Sequence, residues 1–185
     1  MNPNSHKNEF IIRISVLGHP DELVGQLIRQ LVQSHHGQTT NHTFESISIS
    51  ISTLRVFIDE CWVKLILVQP IGQGFFDKMV QHYFRSNGAL ILFSKNDAES
   101  FESARAFYHY FRFINRDPNI PVAFIEIQDT NDSLIIEESI QSEQGSPDFY
   151  YGLKSEDFKG FRKILLSLIT HNLPGNKSTA KQAMV

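Results

Sequence analysis

VKLILVQPIGQGFFDKMVQHYFRSNGALILFSKNDAESFESARAFYHYFRFINRDPNIP, Val63–Pro121, alternates two hydrophobic periods. An apolar run from Cys61 to Val68 has strand length, Phe75–Arg85 has helical spacing, and Ala89–Phe93 is a short, continuously apolar segment. Glu99–Arg116 is helical again, and Pro121–Ile127 is a further apolar run. Strands covered by helices on both faces read as unbroken apolar runs, whereas helices repeat at three and four residues. Strand, helix, strand, helix and strand with short links predict right-handed crossovers between parallel strands.

The flanks extend the pattern. Toward the N-terminus, Phe44–Ile58 alternates Ile47, Ile49 and Ile51 with serine and predicts a half-exposed strand. His35–His42 reads as a polar loop. Asp21–Ser34 predicts a helix with Leu23, Leu27, Ile28 and Leu31 on one side and acids in its first turn. Glu9–Leu17 is strand-like and ends at Gly18. Toward the C-terminus follow a short helix over Asp132–Ser142, a weak strand at Phe149–Tyr151 and an amphipathic helix over Glu156–His171. The fold class is α/β: a doubly wound, mostly parallel sheet of six strands with one antiparallel edge strand and about five helices. One domain over 9–172 is expected, between a flexible N-terminus, 1–8, and a flexible tail, 173–185.

Composition narrows the function. The chain has 185 residues and a net charge of −3, so it carries no broad basic footprint and no nucleic acid partner is expected. The single cysteine, Cys61, excludes an internal disulfide and fits a reducing, cytoplasmic location. No apolar run approaches the roughly 20 residues that span a bilayer. The polar start MNPNSHKNE is unlike a signal peptide. Asn2 and the ending KQAMV encode neither myristoylation nor prenylation, so no lipid anchor is expected. His35, His36 and His42 share one loop without a helical or hairpin frame, and no metal site is expected there. There is no G-x-S-x-G, and Cys61 has no evident histidine partner, so no catalytic residues are assigned.

The central block, with its strand running into Gln69-Pro70-Ile71-Gly72-Gln73, the helix carrying Tyr83-Phe84-Arg85 and the helix start Glu99-Ser100-Phe101, resembles a Ras- or Rab-like small GTPase. The resemblance covers about 9–171 and implies a P-loop-type fold. It also shows which parts of a nucleotide site have changed. A P-loop, G-x-x-x-x-G-K-[ST], wraps phosphates with backbone N–H groups, neutralises them with lysine and holds Mg²⁺ through Ser/Thr. From Gly18 without a gap, Leu23 stands for the second glycine, Val24 for the lysine and Gly25 for the hydroxyl residue. Asp21 and Glu22 bring the wrong sign toward a triphosphate. In the D-x-x-G-Q switch, Gln69 replaces the metal-associated carboxylate, while Gly72 and Gln73 remain. At the guanine-reading N-K-x-D, the matching positions are Ile127, Gln128, Asp129 and Thr130. Of the last base-contacting motif, only Lys154 is common to both.

Losing a charge-assisted hydrogen bond costs ~1.5–3 kcal/mol, and losing one partner of a buried charge pair costs roughly 2–5 kcal/mol. Together the altered lysine, metal and guanine positions represent on the order of 5–10 kcal/mol, four to seven decades of affinity. The resemblance therefore implies a GTPase-like protein without GTPase chemistry or cofactor, serving as an interaction or scaffold subunit, with trafficking suggested by analogy. The alternative is a divergent small GTPase holding GTP or GDP with Mg²⁺ through a non-standard site. A protein partner or a homo-oligomer is expected either way. Two surfaces are candidates: the aromatic helix Glu99–Arg116 with Phe107, Tyr110 and Phe113, and the switch-like pair Phe75 and Phe76. Helical spacing turns Phe101, Ala104, Tyr108 and Phe111 toward the sheet, leaving Tyr110 and Phe113 farthest from it.

Overall fold

The computed structural model describes residues 9–18, 21–44, 47–58, 60–71, 85–94, 97–128, 148–154 and 157–173. In chain order these form β1 (Glu9–Gly18), α1 (Asp21–Ser34), β2 (Gln38–Phe44), β3 (Ile47–Ile58), β4 (Cys61–Ile71) and β5 (Gly88–Ser94), then α2 (Ala98–Ile114), β6 (Val122–Gln128), β7 (Asp148–Lys154) and α3 (Phe158–Asn172). The strands make one sheet in the order β2-β3-β4-β1-β5-β6-β7. β1 pairs in parallel with both β4 and β5, and β5, β6 and β7 continue in parallel. β3 runs against both of its neighbours.

This is the expected doubly wound sheet, with seven strands where the sequence pattern implied six. The additional strand is β2, which occupies most of the stretch read as a polar loop. Its residues QTTNHTF lack an apolar face. They pair residue by residue with β3, from Gln38↔Thr53 to Phe44↔Ile47. Threonines favour extended backbone, and hydroxyl pairs link the strands, Thr39 to Ser52 at 2.8 Å and Thr43 to Ser48 at 3.2 Å. The turn from α1 makes the pairing direct. His36 adopts φ 50°, and the N–H of Gly37 returns to the Val32 carbonyl at 2.8 Å, a left-handed helix cap. A Cβ on Gly37 would lie 2.7 Å from the Thr53 carbonyl oxygen, so only glycine lets the chain approach β3 this closely. The reversed strand β3 is consequently not the outermost one.

Two apolar layers sandwich the sheet. On one face, Ile12, Ile14 and Val16 of β1 meet α1 through Leu27, Ile28 and Leu31 and α3 through Leu165 and Leu168. On the other, Leu17, Val68, Ile91 and Phe93 meet Ala104 and Phe111 of α2. β5 is buried along nearly its whole length, as its unbroken apolar run requires. Leu173, at the head of the expected tail, is buried in the first layer. The expected helices over Phe75–Arg85 and Asp132–Ser142, and residues 1–8 and 174–185, lie outside the described residues, Arg85 excepted.

Several polar groups on the strands and at the ends of α2 are paired. Asp97 caps α2, accepting from the N–H groups of Glu99 and Ser100 at 3.0 and 3.3 Å. The Tyr150 hydroxyl donates to the Glu126 carboxylate. At the other end of α2, buried Asn115 accepts from the Ser86 N–H at 3.2 Å and donates to the Phe111 carbonyl at 3.1 Å. The Ser86 hydroxyl meets that of Ser15 on β1. This network ties α2 to the central strand. Asn115→Ala removes the bonds from the Ser86 N–H and to the Phe111 carbonyl and should lower the unfolding free energy by ~1–3 kcal/mol. Urea denaturation checks this; a loss below ~0.5 kcal/mol, typical of surface positions, would show that the network does not hold α2.

Candidate functional site

Ligands of open α/β sheets bind at the carboxyl ends of the parallel strands. Gly18, Gln69, Gln128 and Lys154 all sit at or near such ends, on β1, β4, β6 and β7. Gln128 and Lys154 are in register with each other. Gly72, Gln73, Thr130, Phe75 and Phe76 lie outside the described residues.

The first turn is short. β1 ends at Gly18 and α1 starts at Asp21, so two residues join them. A P-loop spends several residues in a wrapped, non-helical path around phosphates. Here the helix already occupies the matching positions. Val24, where the motif has its lysine, is 1% exposed and belongs to the α1–α3 core layer. Leu23 packs against the same layer. A Cβ on Gly18 would come within 2.6 Å of the Leu92 carbonyl oxygen and 3.0 Å of Val24 Cγ2. Gly18 is therefore required by the contact of β1, β5 and α1.

Around Gly25 and Gln69 the geometry is more open. A cavity of about 300 Å³ lies between the first half of α1 and the strands β2, β3 and β4. Asp21, Glu22, Arg29, Asn41, Ser50 and Gln69 are among its lining residues. Ser50 is in register with both Asn41 and Gln69, so the three make a polar row across the strands. Gln69 is 4% exposed, and its amide donates to the Asp21 carbonyl at 3.3 Å. A carboxylate there could not donate to that carbonyl. A side chain on Gly25 would begin 3.2 Å from Nη1 of Arg29 and 4.0 Å from Nε2 of Gln69. The place of the metal-binding hydroxyl thus faces a guanidinium and an amide.

Arg29, Asn41 and Ser50 were not singled out by the sequence reading. Arg29 lies one helical turn beyond Gly25, a spacing that brings side chains together. The Ser50–Gln69 pair needed the hairpin register, which no motif supplies.

At the guanine-reading end, Ile127 is buried in the first core layer and Lys154 is exposed. Among the described residues no three His, Cys, Asp or Glu side chains converge as metal ligands. His35 engages Ser34 and the Leu31 carbonyl instead, and His42 lies on β2.

The aromatic helix α2 separates its residues. Phe111 is fully buried, and Phe107, Tyr108 and Tyr110 pack partly against the second layer. The Tyr110 hydroxyl is buried, so Tyr110 is less open than helical spacing implied. Phe113 is 69% exposed, and Phe101, expected on the sheet side, is 47% exposed and meets Phe93 edge-on at 5.6 Å. Of the expected α2 interface residues, Phe113 alone stands fully in solvent.

Among the described residues no helix is long and apolar enough to cross a membrane. A comparison with curated proteins gives no match. The model of the Ras family matches residues 16–146. That match takes in well over half of the 185 residues, from the end of β1 through β6, and the chain belongs to the Ras family.

Proposed function

We propose that this Ras-family chain is a GTPase-like interaction protein that neither binds guanine nucleotide tightly nor hydrolyses it. The observation that carries the reading is the two-residue passage from β1 into α1 with Val24 buried beneath it. From Asp21 on, the backbone at the positions of the phosphate loop is helix, and the position of the neutralising lysine is core. Two further features support it. Most of the stretch matching the family's first switch is paired as β2, whereas a switch must be released when the terminal phosphate leaves. The remaining cavity is lined by two carboxylates, Asp21 and Glu22, against one guanidinium, Arg29, an unfavourable balance for a triphosphate.

The same cavity favours a second reading, a divergent guanine nucleotide site, because its polar row reaches the place of the family's metal. Titration calorimetry of the chain with GTP and GDP in Mg²⁺ separates the two. No heat of binding is expected at micromolar nucleotide, and protein as purified should carry no absorbance excess near 260 nm. Micromolar or tighter Mg²⁺-dependent binding establishes the second reading instead.

If Gly18 serves packing alone, Gly18→Ala should lower the unfolding free energy by ~1–3 kcal/mol, as overpacking against backbone does. The loss should be the same with and without added GTP. A stabilising response to nucleotide in the parent chain that Gly18→Ala removes would assign Gly18 to a phosphate site.

The interaction surface we favour includes Phe113 on α2. Phe113→Ser should shift stability by no more than ~0.5 kcal/mol, while Phe111→Ala, two residues away, should cost ~3–5 kcal/mol. Sedimentation should show Phe113→Ser lowering any self-association of the parent chain. Comparable losses of stability at both positions would place Phe113 in the core and remove it from the surface.

A further inference from the structure

At the far end of the sheet from Gln69, β3 outruns its outer partner. β2 pairs with β3 only as far as Thr53, while β3 continues to Ile58. Along Arg55–Ile58 the strand is bonded to β4 and, among the described residues, has no strand on its other side. Alternate residues of such a stretch turn N–H and C=O groups into the open side. The same stretch borders a cavity of about 490 Å³. Leu54, Val56 and Ile58 of β3 and Leu165, Leu166 and Ile169 of α3 are among its apolar lining residues. Among the described residues, the charged side chains lining it are Arg55 and Arg162, with no carboxylate among them. Arg55 is engaged by Glu9 at 2.9 Å, and among the described residues no carboxylate engages Arg162, which is placed to meet an incoming acid.

We propose that this groove takes an extended peptide segment of a partner protein, added as a strand to the Arg55–Ile58 edge, with alternate apolar side chains in the cavity and a carboxylate on Arg162. A strand laid beside β3 places every second side chain on the face of Leu54, Val56 and Ile58, which is the face of the cavity. The volume lies in the range of concave sites that bury a ligand. The two arginines among its described lining residues favour an acidic segment over a basic one. A free fatty acid would satisfy the apolar wall and Arg162 and would leave the strand edge unused. The strand edge decides for a peptide.

The proposal rests on the reading of the chain as an interaction protein. The groove lies at the opposite end of the strands from Gly25 and Gln69, so nucleotide binding would overturn that reading without touching this one. Short random peptides displayed on phage, selected on the full chain and resynthesised for anisotropy titration, provide the probe. Enriched peptides should carry apolar residues at alternate positions and at least one Asp or Glu. Arg162→Glu, at an exposed position, should weaken them about tenfold or more, and Leu166→Glu should abolish binding. Saturating peptide should slow amide exchange within Arg55–Ile58. If Leu166→Glu fails to fold, Arg162→Glu and the exchange measurement still decide. The proposal is overturned if no peptide is enriched, if affinity is unchanged in Arg162→Glu, or if decanoate binds the groove while the amides of Arg55–Ile58 stay unprotected.

Discussion

The passage from β1 into α1 constrains the rest of this molecule. Two residues must turn the chain from the central strand into a helix lying on that strand. This works only if the backbones come close, which is why a Cβ at Gly18 would meet the Leu92 carbonyl oxygen at 2.6 Å. With β1, β5 and α1 this close at Gly18, Val24 is driven between α1 and the sheet, and Leu27, Ile28 and Leu31 follow it into the same layer. α3 then packs beside α1 on that face. The polar space that survives lies to one side, where Gly25 has no side chain and β2 to β4 turn Asn41, Ser50 and Gln69 toward α1.

The second structural consequence follows from α1's other end. The left-handed residue His36 and the close approach of Gly37 to Thr53 turn the chain directly into β2. A hairpin of seven paired residues results, in a region whose counterpart in the family is a switch. β2 covers the edge of β3 as far as Thr53, and among the described residues no strand covers Arg55–Ile58. Strand edges are either covered or used, since unpaired N–H and C=O groups template further pairing. The chain covers one half of this edge itself, and the peptide groove proposed above makes use of the other.

Most of the frame was legible because it depends on hydrophobic period. The runs in β5 and β6 are continuous because both faces are buried, and α1 shows its apolar stripe plainly. β2 was not legible, because QTTNHTF is polar on both faces and is held by backbone pairing and hydroxyl contacts, which leave no periodic trace. On α2, spacing identified Ala104 and Phe111 correctly. It misjudged Phe101 and Tyr110, because spacing gives an angle around the helix and takes no account of where the sheet beneath it ends. At the site, motif comparison located the altered positions Val24, Gln69 and Ile127. It could not show that Val24 and Ile127 are core, or that Gln69 faces Arg29 and Ser50, since those facts depend on turn length and hairpin register.

These replacements also have a common energetic logic. In a nucleotide-bound domain, a lysine and two carboxylates are tolerable in a partly buried site because ligand and metal compensate their charge. The bound ligand also adds stability by mass action. Without that compensation, each charge in such a place bears a desolvation cost of several kcal/mol. A chain that keeps the fold and gives up the ligand gains by replacing the charges with groups that pack or pair internally. Val24, at the lysine position, packs within the α1–α3 layer. Gln69 pairs, exchanging a metal-seeking carboxylate for an amide that bonds the first turn of α1. Val24 thus contributes burial, and Gln69 a hydrogen bond, at places where the family's charges need a ligand or metal to compensate them. That shared direction is what a domain stable without nucleotide requires.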